Sequence, residues 1–242
     1  TKTLLISFLS GLILGFGQYL QILCLKVLGV SRTMPLTTAG QIIFMCLGGI
    51  ILFGEMNHGL ALVFALSSIA LLTLGVVFIS KTEKTQEAAA ENVDWKRGTI
   101  LLVISTACLV AYLLIVQGFG LDGRSVILPQ SVGYFLVGLI ATIPALSPQL
   151  GKEDNRWSLL TLRQLIPGMM WGAAILLTQI SSSLLGVAVA FPLSQMGVII
   201  QTFGGILILH ETRTRREMRW TVIGVAIMVI GVIMVGVARS FS

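Results

Sequence analysis

The side chains of this chain that can do chemistry are uncharged amides and hydroxyls set inside apolar runs. Gln18 and Gln21 stand three residues apart, so on a helix they share a face. Thr37, Thr38 and Gln41 follow Pro35, Gln130 and Ser131 follow Pro129, and Ser194 and Gln195 follow Pro192. Gln179 lies between these groups, and Gln201 and Thr202 lie beyond them. Amides and hydroxyls are costly to bury unless paired. One reading is glue between helices, since Ser, Thr and Gln bond across membrane helices. The other is a polar cavity for an uncharged, polyhydroxylated solute, to which such groups offer donors and acceptors without a charge to neutralise. For the set, the cavity is the expectation: Gln18, Gln21, Thr37, Thr38, Gln41, Gln130, Gln179, Ser194 and Gln195. Trp171 is added to that set as a face on which a solute ring can stack, with Tyr19 a second aromatic of the same kind; ordinary packing is the alternative for both. Glu55 and Glu211 each end an apolar run, either as solvated carboxylates or as gating and coupling groups.

The residues an intramembrane enzyme needs are missing from the runs. No Asp or Glu lies in mid-run, His58 and His210 sit at run ends, and there is no HExxH. Cys24, Cys46 and Cys108 lie in apolar stretches without CxxC or Cys/His spacing, so neither metal nor disulfide is expected. The sequence therefore predicts no catalysis, no metal and no cofactor.

The elements that must position these groups are membrane helices. Mean hydropathy is +0.96, and only 11% of residues are charged. From Gln164 to Leu209, 46 residues pass without a charge, too long for one span and right for two. Spans are expected at roughly 3–25, 33–53, 59–80, 98–119, 126–147, 164–185, 187–209 and 220–238. The turn between the sixth and seventh is expected within Ser181 to Gly186, and Trp95, Trp157 and Trp220 fall at span edges. Pro35, Pro129 and Pro192 sit in first helical turns or mark helix breaks. The net charge of +6 is a topology signal rather than a nucleic-acid footprint: the loops on one face hold thirteen of the 16 Lys and Arg. The positive-inside rule makes that face cytoplasmic, so the loops after spans 1, 3, 5 and 7 are expected inside the cell.

The chain also repeats itself. Gly11, Gly15, Leu28-Gly29-Val30, Pro35-Leu36 and Gly40 recur 157 residues later as Gly168, Gly172, Leu185-Gly186-Val187, Pro192-Leu193 and Gly197. At a spacing of 156, Gly48-Gly49-Ile50, Glu55 and Gly75 match Gly204-Gly205-Ile206, Glu211 and Gly231. Matching spans are five apart, an odd number, so the copies are expected to be inverted, as in many secondary transporters whose site lies where the repeats meet. The expected organisation is an incomplete first repeat (1–80), a polar cytoplasmic loop (81–97) and a complete five-helix second repeat (98–242). The fold class is all-α polytopic: eight visible spans of a ten-helix, five-plus-five protein, with two helices expected ahead of Thr1 and no initiator Met in the chain.

The runs LGVSRTMPLTTAGQ (Leu28 to Gln41), DGRSVILPQSVG (Asp122 to Gly133), IPGMMWG (Ile166 to Gly172) and FPLSQMGVIIQTFGGILILHE (Phe191 to Glu211), followed by TRTRR, resemble the bacterial glucose uptake proteins. These form the glucose/ribose porter family of the drug/metabolite transporter superfamily. The chain departs from their pattern at Pro192, in place of a serine after the phenylalanine, and at His210, in place of a glycine before the glutamate. The resemblance implies a carrier in the bacterial plasma membrane that imports glucose or a related monosaccharide, with protons as the coupling ion. The partners expected are a sugar, protons and membrane lipid, with no nucleic acid. An exporter of metabolites or drugs on the same fold, or a non-transporting membrane scaffold, are the alternatives.

Overall fold

The computed structural model describes residues 2–28, 30–55, 59–81, 94–143, 159–207 and 214–241, with Val30, Ser31, Arg32, Leu160, Gln201 and Thr202 described as backbone only. His58, His210 and Glu211 lie outside the described residues. Among the described residues every regular element is helical: α1 (Lys2–Leu28), α2 (Val30–Phe53), α3 (Gly59–Ile79), α4 (Trp95–Gly118), α5 (Gly123–Ala141), α6 (Leu159–Arg163), α7 (Leu165–Leu185), α8 (Val187–Ser194), α9 (Gly197–Leu207) and α10 (Arg215–Ser240). Seven of them, α1, α2, α3, α4, α5, α7 and α10, belong to segments long and apolar enough to cross a membrane. Leu52, Leu128, Ile166, Met169 and Ile200 face outward, as expected where lipid is the solvent.

Boundaries follow local chemistry. The α4 helix starts at Trp95, earlier than the expected 98, because the Asp94 carboxylate accepts from the Arg97 amide at 3.1 Å. Asp122 does the same for α5, accepting from the Arg124 amide at 3.4 Å, so that helix starts at Gly123 rather than the expected 126; it ends at Ala141, and 144–147 of the expected 126–147 lie outside the described residues. The α10 helix opens with a capping box, in which the Thr214 hydroxyl accepts from the Glu217 amide at 3.2 Å and the Glu217 carboxylate accepts from the Thr214 amide at 2.9 Å. Between α7 and α8 the expected six-residue turn shrinks to Gly186 alone, at φ +86°.

The seventh expected span, 187–209, is not one helix but two. Pro192 has no amide to return to the Ala188 carbonyl, and the Ser194 hydroxyl bonds the Phe191 carbonyl at 2.6 Å. The amides of Gln195, Met196, Val198 and Ile199 then reach back three residues, Gln195 to Pro192 and Met196 to Leu193 at 3.1 Å each, Val198 to Gln195 at 3.0 Å and Ile199 to Met196 at 3.1 Å. This tightened turn separates α8 from α9. Pro35 and Pro129, in contrast, lie inside continuous helices.

The α3 and α10 helices form the tightest seam. A Cβ at Gly75 would collide with Met228, one at Gly224 would lie 2.7 Å from the Gly75 carbonyl oxygen, and one at Gly231 would lie 3.0 Å from Leu72. Contacts fall along α10 as they rise along α3, so the pair is antiparallel. Its ends agree: Phe64 stacks on Phe241 at 5.8 Å, and the Lys81 ammonium sits over the Trp220 ring at 4.5 Å.

Three outcomes follow for stability in detergent. Gly224→Val wedges two methyls into backbone contact and is expected to cost about 1–3 kcal/mol in thermal unfolding. Gly236→Ala on the same helix meets nothing within 4 Å, so it is expected to leave stability unchanged or slightly raised. Loss of the α10 cap in Thr214→Ala is expected to cost about 1 kcal/mol.

Candidate functional site

Three glycines let three helices touch where the polar groups lie. A Cβ on Gly11 of α1 would collide with the Gln130 backbone of α5, and one on Gly133 of α5 would collide with the Phe8 carbonyl. A Cβ on Gly123 would lie 3.0 Å from Gln179 of α7. The close approach sets Ser10, Gln130 and Gln179 together, all buried. The Gln179 side-chain NH2 donates to Gln130 Oε1, Gln130 Nε2 donates to Ser10 Oγ at 2.8 Å, and Ser10 Oγ donates to the Ser7 carbonyl at 3.1 Å. Every donor in the chain points toward α1. The free end is therefore an acceptor: Gln179 Oε1 is buried and has no hydrogen-bond partner. Leaving such an atom unpaired costs about 1–3 kcal/mol, which a donor placed there would recover.

One helical turn along α5 from Gln130, Tyr134 meets Trp171 of α7 with ring centroids 5.0 Å apart and planes tilted by 32°. Trp171 keeps 37% of its surface exposed. The α5–α7 interface thus carries an amide pair beside an aromatic pair. On α1, Ser7, Ser10, Gln18 and Gln21 fall within an arc of about 80° at the helical 100° per residue, so one polar stripe runs down that helix. Gln18 and Gln21 are half-buried on it.

The structure brings together Gln130 and Gln179, and places Trp171 on the same interface. It does not bring in the rest. Thr37 is buried but donates to the Thr33 carbonyl of its own helix at 2.6 Å, and Thr33 in turn donates to the Cys24 carbonyl of α1 at 3.3 Å, so both hydroxyl protons are spent on backbone carbonyls. Thr38 and Gln41 are half-buried on α2. Ser194 and Gln195 sit at the α8–α9 break, Gln195 Nε2 bonding Ser194 Oγ at 3.3 Å. Ser10 and Tyr134 are the members that sequence reading missed; Ser10 lies 120 positions from its amide partner and has no neighbouring motif to mark it.

Glu55 has an unexpected place. Its carboxylate accepts from the Val187 amide at 2.9 Å and from the Ala188 amide at 2.8 Å, one oxygen to each, capping α8 across the bundle. Gly49 and Gly186 leave room for it: a Cβ on either would stand 2.9 and 2.6 Å from a Glu55 carboxylate oxygen. Among the described residues no cluster of His, Cys, Asp and Glu could hold a metal ion. An arrangement of uncharged amides with one open acceptor beside an aromatic pair suits a neutral hydroxylated molecule.

Comparison with known proteins agrees. The family described as sugar transport protein matches residues 1–238. A protein of Listeria innocua named for sugar uptake is 38% identical over 239 residues, covering 99% of this chain and 80% of that relative. The glucose uptake protein GlcU of Bacillus subtilis is 30% identical over 241 residues, 100% of this chain and 81% of its own length. A GlcU of Priestia megaterium, named for glucose uptake, is 33% identical over 236 residues, 97% of this chain and 79% of its own length. With its apolar helices and its match over nearly the whole chain, the protein belongs to the sugar transport protein family, a membrane transporter and not an enzyme.

Proposed function

We propose that the protein imports glucose or a related monosaccharide across the bacterial plasma membrane by alternating access between inverted repeats, coupled to protons. The observation that carries the sugar reading is the buried relay Gln179–Gln130–Ser10, which ends in the open acceptor Gln179 Oε1. A sugar hydroxyl is the neutral donor that such an acceptor lacks. The Tyr134–Trp171 pair beside it supplies an aromatic face for the C–H side of the ring. GlcU of Bacillus subtilis is named for glucose uptake, which supports the substrate class.

Support for the inverted repeat comes from the α3–α10 seam. Leu72 and Gly75 are the 156-residue counterparts of Met228 and Gly231. Leu72 meets Gly231 and Gly75 meets Met228, the reciprocal contacts that a two-fold axis between matched helices requires. On this reading the loops after spans 1, 3, 5 and 7 are cytoplasmic, and the amide relay lies in the outer half of the bundle. Coupling to protons falls to a carboxylate at a span end, with Glu55 and its sequence counterpart Glu211 as the candidates.

Radiolabelled glucose uptake in cells expressing the protein tests the site. Gln179→Leu and Gln130→Ala are expected to lower uptake roughly tenfold, about 1.4 kcal/mol, at unchanged membrane abundance. Trp171→Ala is expected to raise KM more than it lowers the maximal rate. Normal uptake by Gln179→Leu would move the substrate elsewhere in the bundle. For coupling, Glu55→Gln is expected to lose pH-driven accumulation while keeping counterflow, and an unchanged pH profile would clear Glu55 of that role.

A further inference from the structure

The α8 helix has the mechanics of a gate. It is eight residues long, and Val187, Ala188, Val189, Ala190, Phe191 and Pro192 are all buried. One end is Gly186, at φ +86°, a conformation that glycine adopts without strain. The other end is the tightened turn around Gln195 and Met196. A short rigid segment between two pivots can swing as a unit. It begins close to the relay along the chain: Gln179 is six residues before Leu185, about 9 Å along α7 at 1.5 Å per residue.

One side chain pins this segment across the bundle. The Glu55 carboxylate, at the end of α2, accepts from the first two amides of α8. Those amides have no acceptor within their own helix, and charge favours a carboxylate at a helix N-terminus. Cys46 adds a weaker tie, its Sγ lying 3.9 Å from the Ala188 carbonyl that Pro192 leaves without its usual amide. The fit is tight on both sides, with Gly49 and Gly186 walling the carboxylate. Releasing the carboxylate exposes two amide donors, which only water can then satisfy. Release therefore goes with opening of this end of the bundle to water.

We propose that α8 is the moving gate at this end of the carrier, and that Glu55 is the latch that holds it shut. Glu55 is thus a positioning residue that sets access to the sugar site without touching sugar. The inference rests on the carrier reading for its response to substrate, while the gate motion is measured independently of transport.

The test uses the purified protein in proteoliposomes, with Cys24 and Cys108 replaced by alanine and Cys46 by serine, which keeps a donor near the Ala188 carbonyl. Ala190→Cys reports on α8 and Ala65→Cys, buried in the α3–α10 region, reports on the rest of the fold. Labelling by a membrane-impermeant maleimide is expected to be slow at both positions and to change at position 190 when glucose is added. In the Glu55→Gln background, labelling at position 190 is expected to rise at least tenfold, with position 65 unchanged. Gly186→Ala, which drives a methyl into the carboxylate, is expected to act in the same direction. Slow labelling at position 190 in both variants overturns the proposal, because the helix then stays shut without its latch. Equal acceleration at positions 190 and 65 also overturns it, because Glu55 then holds the whole fold and not a gate. If glucose changes nothing while Glu55→Gln still frees position 190, the gate stands and the sugar assignment fails.

Discussion

Lipid offers no hydrogen bond to a backbone group, so a helix can be broken inside a membrane bundle only if the protein serves the loose ends itself. The pair of bonds from the Val187 and Ala188 amides to Glu55 meets that demand. Without it, α8 would present unsatisfied donors in an apolar interior. Much else is arranged around this pair. Gly186 turns the chain so that both amides face the carboxylate, Gly49 leaves α2 without bulk at the point of contact, and the buried face of α8 fills the space between α2 and α10. The one charge at this contact belongs to a residue of the first three helices, and it terminates a helix belonging to the last ones.

The same economy governs the polar interior. The relay from Gln179 through Gln130 to Ser10 uses no charge, so nothing near it demands a counter-ion. Its geometry rests on glycines rather than on the polar groups themselves, since Gly11, Gly133 and Gly123 set how closely α1, α5 and α7 approach. An amide pair held this way has little freedom to turn its open acceptor away. On the proposed sugar reading, selectivity among neutral solutes comes from unmet hydrogen bonds, which discriminate more sharply than a missing methylene does.

The helical type and most of the approximate bounds were legible in the sequence because uninterrupted apolar runs have few solutions in lipid; the number was not, since eight spans were expected and seven helices among the described residues are in segments long and apolar enough to cross. Their fine limits were set by groups that hydropathy does not weigh, such as Asp94 and Asp122 acting as caps. The break in the 187–209 run was open only as an alternative, because Pro35 and Pro192 carry the same local pattern, yet α2 continues and α8 stops. The difference lies at Ser194 to Met196, where a serine bonds back to its own helix and the amides shorten their reach. Gln130 and Gln179 could be suspected, since a buried glutamine needs a reason. Ser10 could not, because a serine in a membrane helix satisfies itself on the preceding turn as readily as Ser67 or Ser131 does. Thr37, expected in the site, makes a bond of that same kind, to the Thr33 carbonyl.

The seam between α3 and α10 carries a consequence of another sort. Its contacts are reciprocal about a point between Thr73 and Leu74 on one helix and Val229 and Ile230 on the other. A surface that fits its own counterpart in reverse does not depend on the two being covalently joined. Two separate half-length chains, inserted in opposite senses, would meet through the same glycines and the same methionine and leucine. A substitution in only one of its halves breaks this reciprocity, whereas matched substitutions on both helices keep it.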